Sequence, residues 1–103
     1  MSVLIAQTPE DMANLMHVIE LKKRFDDARN PVGILESVMR ESGYGSEENE
    51  ILAVNSVAIY TRGNPHPGTQ LIINFQFIDD DSEETDGNFF VRFDAAGKLI
   101  GDF

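Results

Sequence analysis

Carboxylates are concentrated in one short segment of this sequence. Six acidic residues occur within the eight positions 79–86, which read Asp79-Asp80-Asp81-Ser82-Glu83-Glu84-Thr85-Asp86. Carboxylate oxygens are the ligands that Ca²⁺ prefers, and a dense negative patch also attracts basic proteins through long-range electrostatics. The segment therefore has two chemical interpretations, a cation site and a docking surface, beside a third in which it only keeps a hairpin loop solvated.

The calcium interpretation fails on spacing. An EF-hand loop requires Gly at its sixth position and Glu at its twelfth. Counted from Asp79 or from Asp81, neither requirement is met, and we predict no metal site. In isolation the segment is typical of a solvated hairpin loop, whose charge repulsion keeps a sheet edge from aggregating. As a docking surface it would bind a basic protein, and the predicted contact residues are Asp80, Asp81, Glu83, Glu84 and Asp86.

Residues suited to catalysis are sparse. His17 and His66 are the only histidines and there is no Cys, so a multi-His metal site and a thiol nucleophile are both excluded. The sequence contains no phosphate-binding loop, dinucleotide-binding glycine motif or nucleophile elbow. We therefore predict no catalytic residue and no cofactor, with a partly buried His17 and a solvent-facing His66.

The net charge of −10 limits the classes of partner. Such a charge repels nucleic acid phosphates and anionic lipid, so neither nucleic acid nor membrane is an expected partner. Residues 1–7 show no basic region and only a four-residue apolar run, unlike a signal peptide. The expected location is the cytoplasm.

Two helices are predicted before residue 45. Thr8-Pro9 begins the first, over about 8–30, because a hydroxyl N-cap followed by Pro at the first helical position is favourable. Its expected core stripe is Met12, Leu15, Met16 and Ile19, continued with some drift by Leu21, Phe25 and Ala28. Asn30 is expected to cap a second helix over about 31–43, which Gly43 ends.

Four strands are predicted after residue 50, over about 51–62, 69–79, 88–94 and 98–102. In the second strand Leu71, Ile73, Phe75 and Phe77 alternate with more polar residues, which is typical of a strand with one buried face. The first strand is apolar on both faces and is expected to lie centrally or at an interface. The acidic segment forms the loop 79–88 between the second and third strands.

The order of these elements predicts a single α+β domain over residues 1–103. Strands that follow one another with hairpin-length connections form an antiparallel meander, and the two N-terminal helices pack on one face of it. We expect three to four strands in that sheet.

The last hairpin carries a resemblance to known families. Residues 89–100 run as a strand, the turn Asp94-Ala95-Ala96-Gly97-Lys98 and a second strand. This arrangement resembles the closing hairpin of nuclear-transport-factor-2-like domains, and also that of an outer-membrane assembly lipoprotein family with the fold of beta-lactamase inhibitory protein. In size and acidity the chain also resembles bacterial immunity proteins and other inhibitors of basic toxins. No site residue is carried over from any of them.

Together these observations predict a small, non-enzymatic binding protein, of inhibitor or immunity type, that docks a basic partner. The rival prediction is a small-molecule or enzymatic pocket between helix 1 and the face Leu71–Phe77, with His17 or Tyr60 as its polar groups. A filled core would favour the binding protein, and a deep cavity would favour the pocket. A homodimer through the first strand is a third alternative.

Overall fold

The computed structural model describes residues 9–44, 50–62 and 68–102, and the predicted α+β class is confirmed. Two helices precede four antiparallel strands, in the order α1 Pro9–Asp27, α2 Pro31–Glu41, β1 Ile51–Arg62, β2 Gly68–Ile78, β3 Glu84–Phe93 and β4 Leu99–Asp102. The strands form one sheet in the order β1-β2-β3-β4, so each is paired with its neighbour in sequence.

Both helices pack on the same face of the sheet. Residues from α1, α2 and the inward positions of the strands form one buried apolar cluster, comprising Val18, Leu21, Phe25, Leu35, Val38, Met39, Leu71, Ile73, Phe75, Phe89, Val91 and Leu99. The predicted alternation of β2 is confirmed, because Leu71, Ile73 and Phe75 are buried while the residues between them are only half-buried. We call the opposite side of the sheet, which neither helix covers, the open face.

A glycine in the left-handed conformation ends α2. Gly43 has φ +91°, a left-handed conformation that costs glycine little. The chain can therefore fold back, and the Tyr44 N–H donates to the Met39 carbonyl at 2.8 Å while the Gly43 N–H donates to the Arg40 carbonyl at 3.1 Å. At the other end of α2, Asn30 occupies the N-cap position, but its side chain makes no capping hydrogen bond, contrary to expectation.

The predicted core stripe of helix 1 is wrong in its first part, Met12, Met16 and Ile19, and right at Leu21 and Phe25, which are buried as expected. Met12, Met16 and Ile19 are 49%, 58% and 45% exposed, whereas Val18 and Leu21 are buried. At about 100° per residue the two sets lie on nearly opposite sides of the helix. The inward side also makes a tertiary contact: the Asn14 side chain donates to the Thr69 carbonyl at 2.8 Å and accepts from the Phe93 N–H at 2.7 Å.

The predicted central position of strand 1 is also wrong, because β1 is an edge strand whose only neighbour within the described ranges is β2. The side chains of β1 also do not alternate strictly between the two faces of the sheet. Register shifts between Ile51 and Ala53 and between Val54 and Ser56 insert extra residues, which turns Val54 toward the core together with Ile51. The Pro-rich turn predicted at 63–68 and the linker residues 45–49 lie outside the described residues, apart from Gly68.

Candidate functional site

The predicted loop 79–88 is shorter than expected. The connection between β2 and β3 is only the turn Asp79–Glu83, and residues 84–88 belong to β3. The turn holds Asp80, Asp81 and Glu83, and all three are exposed. Glu84 and Asp86 instead lie on the strand. The extension of β3 arises because residues 84–88 complete the pairing with the end of β2, from Asn74↔Asn88 to Ile78↔Glu84.

The alternation of β3 places Glu84 and Asp86 on the open face. Phe89 and Val91 are buried against the helices, so the residues of the other parity face away from them. Glu84 pairs with Ile78 and Asp86 pairs with Gln76. The five predicted contact residues therefore lie together at one end of the sheet, on the turn and on the adjoining strand.

Asp79 has a different role from the other acids, because it organises the turn. Its Oδ1 accepts the N–H groups of Asp81 and Glu83, both at 2.9 Å, and its Oδ2 accepts the Thr85 hydroxyl at 2.7 Å. The hydrogen bonds from Glu83 and Thr85 stabilise the charged carboxylate and hold the pKa of Asp79 below its ordinary value. These bonds fix the backbone from which the other carboxylates project.

The next hairpin repeats this construction. The Asp94 Oδ1 accepts hydrogen bonds from the N–H groups of Ala96 at 3.0 Å and Lys98 at 2.8 Å. These donors lie two and four residues after the aspartate, as the donors to Asp79 do. The fourth position of the turn has a positive φ in both cases, +81° at Gly97 and +61° at Ser82. Asp79 is thus a turn-forming residue, and the described residues contain no group of three or more potential ligands that could hold a metal ion.

Among the described residues, no ion pair neutralises the acidic end. Within the described part of the chain the one salt bridge joins Lys22 Nζ to Asp26 Oδ2 on α1, at 2.6 Å. Glu50 is exposed at the same end of the sheet as the turn, since its carbonyl accepts the Ile78 N–H at 2.9 Å. We define the acidic end as Glu50, Asp79, Asp80, Asp81, Glu83, Glu84 and Asp86.

Apolar side chains adjoin this charge. Ile78 lies opposite Glu84 and is half-buried, and Leu52 is 39% exposed within the irregular part of β1 that faces Phe77 and Gln76. Protein interfaces typically combine an apolar centre with a charged or polar rim. The acidic end has both components.

A row of asparagines crosses three strands beside the acidic end, and the sequence analysis missed it. Asn55 Nδ2 donates to Asn74 Oδ1 at 3.0 Å, and Asn74 Nδ2 donates to Asn88 Oδ1 at 3.0 Å. Asn74 Nδ2 also lies 3.3 Å from the Gly87 carbonyl oxygen. These bonds tie β1, β2 and β3 together next to Asp86. The sequence signal was the recurrence of Asn in strands, where it is normally disfavoured.

The residues of the rival prediction do not form a common pocket. Leu71 and Ile73 are fully buried in the cluster with Val18, so side chains fill the space between α1 and the sheet. Tyr60 is 48% exposed and pairs with Gln70 on the open face, whereas His17 is on the helix side.

His17 contacts the β3 end instead. Its ring centroid is 5.0 Å from that of Phe93, and it borders a surface cleft of about 220 Å³ between the two helices and β3. His66 lies outside the described residues.

Comparison with family models, with curated proteins and with solved structures finds no match to this chain. In the described ranges, neither helix combines the length and the apolar character needed to span a membrane.

Proposed function

We propose that this protein is a non-enzymatic binding domain that docks a basic protein through the acidic end. The observation that carries the proposal is the cluster of exposed carboxylates beside Leu52 and Ile78, which form no ion pair within the described ranges. Its predicted contact residues remain Asp80, Asp81, Glu83, Glu84 and Asp86, three on the turn and two on β3. An inhibitor or immunity-type role in the cytoplasm, in which the acidic end covers a basic site, is the physiological form of this proposal.

The physical mechanism has two stages. The negative electrostatic field of the acidic end increases the rate at which a basic partner associates in the correct orientation, and this steering is strongest at low salt. Apolar contacts with Leu52 and Ile78 would then supply affinity that salt does not screen. The Asp79 hydrogen bonds favour binding further, because a turn that is already ordered loses less entropy on association.

The test replaces the five carboxylates by their amides, as Asp80→Asn, Asp81→Asn, Glu83→Gln, Glu84→Gln and Asp86→Asn. The matched control amidates five acids of the helices: Glu20, Asp26, Asp27, Glu36 and Glu41. Both variants change the net charge by +5, from −10 to −5, so they differ in where the charge is removed and in the loss of the exposed Lys22–Asp26 ion pair from the control.

The probes are a lysine decapeptide and an arginine decapeptide, titrated in NMR experiments at two salt concentrations. We expect the amide shifts of the wild-type protein to centre on residues 78–86, and the turn variant to bind about tenfold more weakly than the helix control at low salt. Equal weakening of the two variants would show that only total charge matters. That result would remove the acidic end as a site.

A further inference from the structure

We propose that the outer edge of β1 is a self-association surface, which pairs antiparallel with β1 of a second copy to form a continuous eight-stranded sheet. This inference is independent of the acidic end. It names the segment 56–62 as the interface and a second copy of this chain as the occupant.

The two edges of the sheet differ in how they are protected. β4, at one edge, has only four residues, and short edge strands offer little to pair with. β1, at the other edge of the sheet that the described residues form, has twelve residues with no Pro, no Lys and no acidic residue among them, and Arg62 at its end is its one charged residue. A long apolar edge strand presents unpaired backbone N–H and C=O groups and is a template for a further strand.

The side chains that face the helices are less completely buried on β1 than on β2. Ile59 pairs with Leu71 and Val57 pairs with Ile73. The two β2 residues are fully buried, while Val57 and Ile59 are only half-buried although they pack against the same core cluster. A strand of a second copy would continue these rows and cover the apolar surface that remains exposed on Val57 and Ile59.

The register of the pair follows from the irregularities of β1. The register shifts lie between Ile51 and Ala53 and between Val54 and Ser56, so only residues 56–62 pair regularly with β2. A two-fold axis at the centre of that segment places Ile59 opposite Ile59 of the second copy. Tyr60, which is 48% exposed, then faces the small side chain of Ala58 of the second copy on the open face.

Charge distribution favours a second copy over a basic peptide at this edge. A basic peptide would find no carboxylate along residues 51–62. Two copies with a net charge of −10 each repel, but antiparallel pairing at Ile59 puts their acidic ends at opposite ends of the joint sheet. Ile51 pairs with Phe77 and Ile59 pairs with Leu71, so the start of β1 lies six positions of the sheet from the axis, or about 20 Å, and the starts of the two β1 strands are about 40 Å apart. This separation is several times the Debye length of about 8 Å, and the repulsion is screened.

The interface is small, since seven residues span only about 24 Å, which indicates a weak and concentration-dependent dimer. Light scattering of the full chain from micromolar concentrations up to about 1 mM should show the mass rising from 11.5 kDa toward twice that value. A constant mass of 11.5 kDa up to the highest concentration overturns the proposal.

The interface variant is Ala58→Lys with Tyr60→Lys, which places four ammonium groups at the junction of the two copies. The matched control is Ala95→Lys with Ala96→Lys in the exposed turn before β4. Each variant reduces the net charge from −10 to −8, so general repulsion falls equally in both. We expect the interface variant to stay monomeric and the control to dimerise like the wild-type protein. A dimer that persists in a folded interface variant contradicts the proposal.

Hydrogen exchange of the unmodified protein gives a second measurement, which is needed if the interface variant does not fold. Protection of the amides of residues 56–61 should rise between dilute and concentrated samples, while that of β3 stays constant. Exchange at β1 that does not depend on concentration overturns the proposal. So does a loss of monomer–dimer equilibrium when only the acidic end is amidated, because that result would assign self-association to the acidic end.

Discussion

At the residue scale, Asn14 joins α1 to the sheet by hydrogen bonds to two strands. Its side chain lies between the ends of β2 and β3, where the described pairing stops at Leu71↔Val91. It donates to the Thr69 carbonyl and accepts from the Phe93 N–H, so one side-chain amide is the hydrogen-bond partner of both backbone groups. An amide is suited to this position because it carries a donor and an acceptor on the same planar group.

We predict that Asn14→Ala lowers the free energy of unfolding by about 2–3 kcal/mol, because it leaves two partly buried backbone groups without partners. Urea unfolding measures the change. The control is Asn30→Ala, an exposed asparagine whose side chain makes no capping hydrogen bond, which should cost no more than about 0.5 kcal/mol. Similar losses in the two variants would contradict the role given to Asn14.

Asp79 gives a prediction about pH. Its folded pKa is lowered from the ordinary value of 3.8 by hydrogen bonds from Glu83 and Thr85. A carboxylate with a lowered pKa stabilises the fold at every pH above its unfolded value, and that contribution disappears as the pH falls through the folded pKa.

We therefore expect Asp79→Asn to be less stable than the wild-type protein at pH 7 and the difference to shrink below about pH 3.8. Thermal unfolding at a series of pH values provides the measurement, and Asp80→Asn is the control, since its exposed carboxylate accepts none of the turn's hydrogen bonds among the described residues. A difference between wild type and Asp79→Asn that stays constant from pH 7 to pH 2.5 would count against this account.

At the element scale, α1 has two apolar sides and only one of them is used in the core. Val18, Leu21 and Phe25 are buried, while Met12, Met16 and Ile19 face away from the sheet. A helix with apolar residues on opposite sides is only weakly amphipathic, so periodicity alone does not select the buried side. The choice depends on residues that are distant in sequence, since Asn14 and Phe93 are 79 positions apart.

We predict that the triple replacement of Met12, Met16 and Ile19 by Gln changes the free energy of unfolding by less than about 1.5 kcal/mol in total, at about 0.5 kcal/mol per surface site. Leu21→Ala should cost about 2–5 kcal/mol by leaving a cavity in the core. Both are measured by denaturant unfolding. If the triple variant is destabilised as much as Leu21→Ala, the orientation of α1 is wrong.

At the scale of the whole molecule, the chain separates its charge from its apolar edge. The acidic end gathers carboxylates around the β2–β3 turn, whereas β1 carries no acid along its twelve residues. A charged surface resists self-association and attracts partners of opposite sign, and an edge without carboxylates permits pairing between copies. The two proposals therefore concern different surfaces. Amidation of the acidic end tests the first proposal and serves as a control for the second, and lysines at positions 58 and 60 test only the second.

Much of the local structure was predictable from the sequence. Proline at position 31 and glycine at positions 43 and 97 mark helix starts and chain reversals, because their allowed backbone angles are set within the residue itself. The alternation of β2 also predicted its buried face correctly, since a strand's side chains point to opposite faces in turn. The five acidic contact candidates were predicted to cluster, although two of them proved to lie on β3 instead of in a loop.

What the sequence by itself determined about this protein is the order of its elements, the positions of its turns and the existence of an acidic cluster. These depend on interactions between residues close in the chain. Only the tertiary structure decided which side of α1 is buried, that β1 lies at an edge and changes faces through its register shifts, and which acids share the open face. Each of those outcomes depends on pairing and packing between distant segments, whose energies are not encoded in any short stretch of residues.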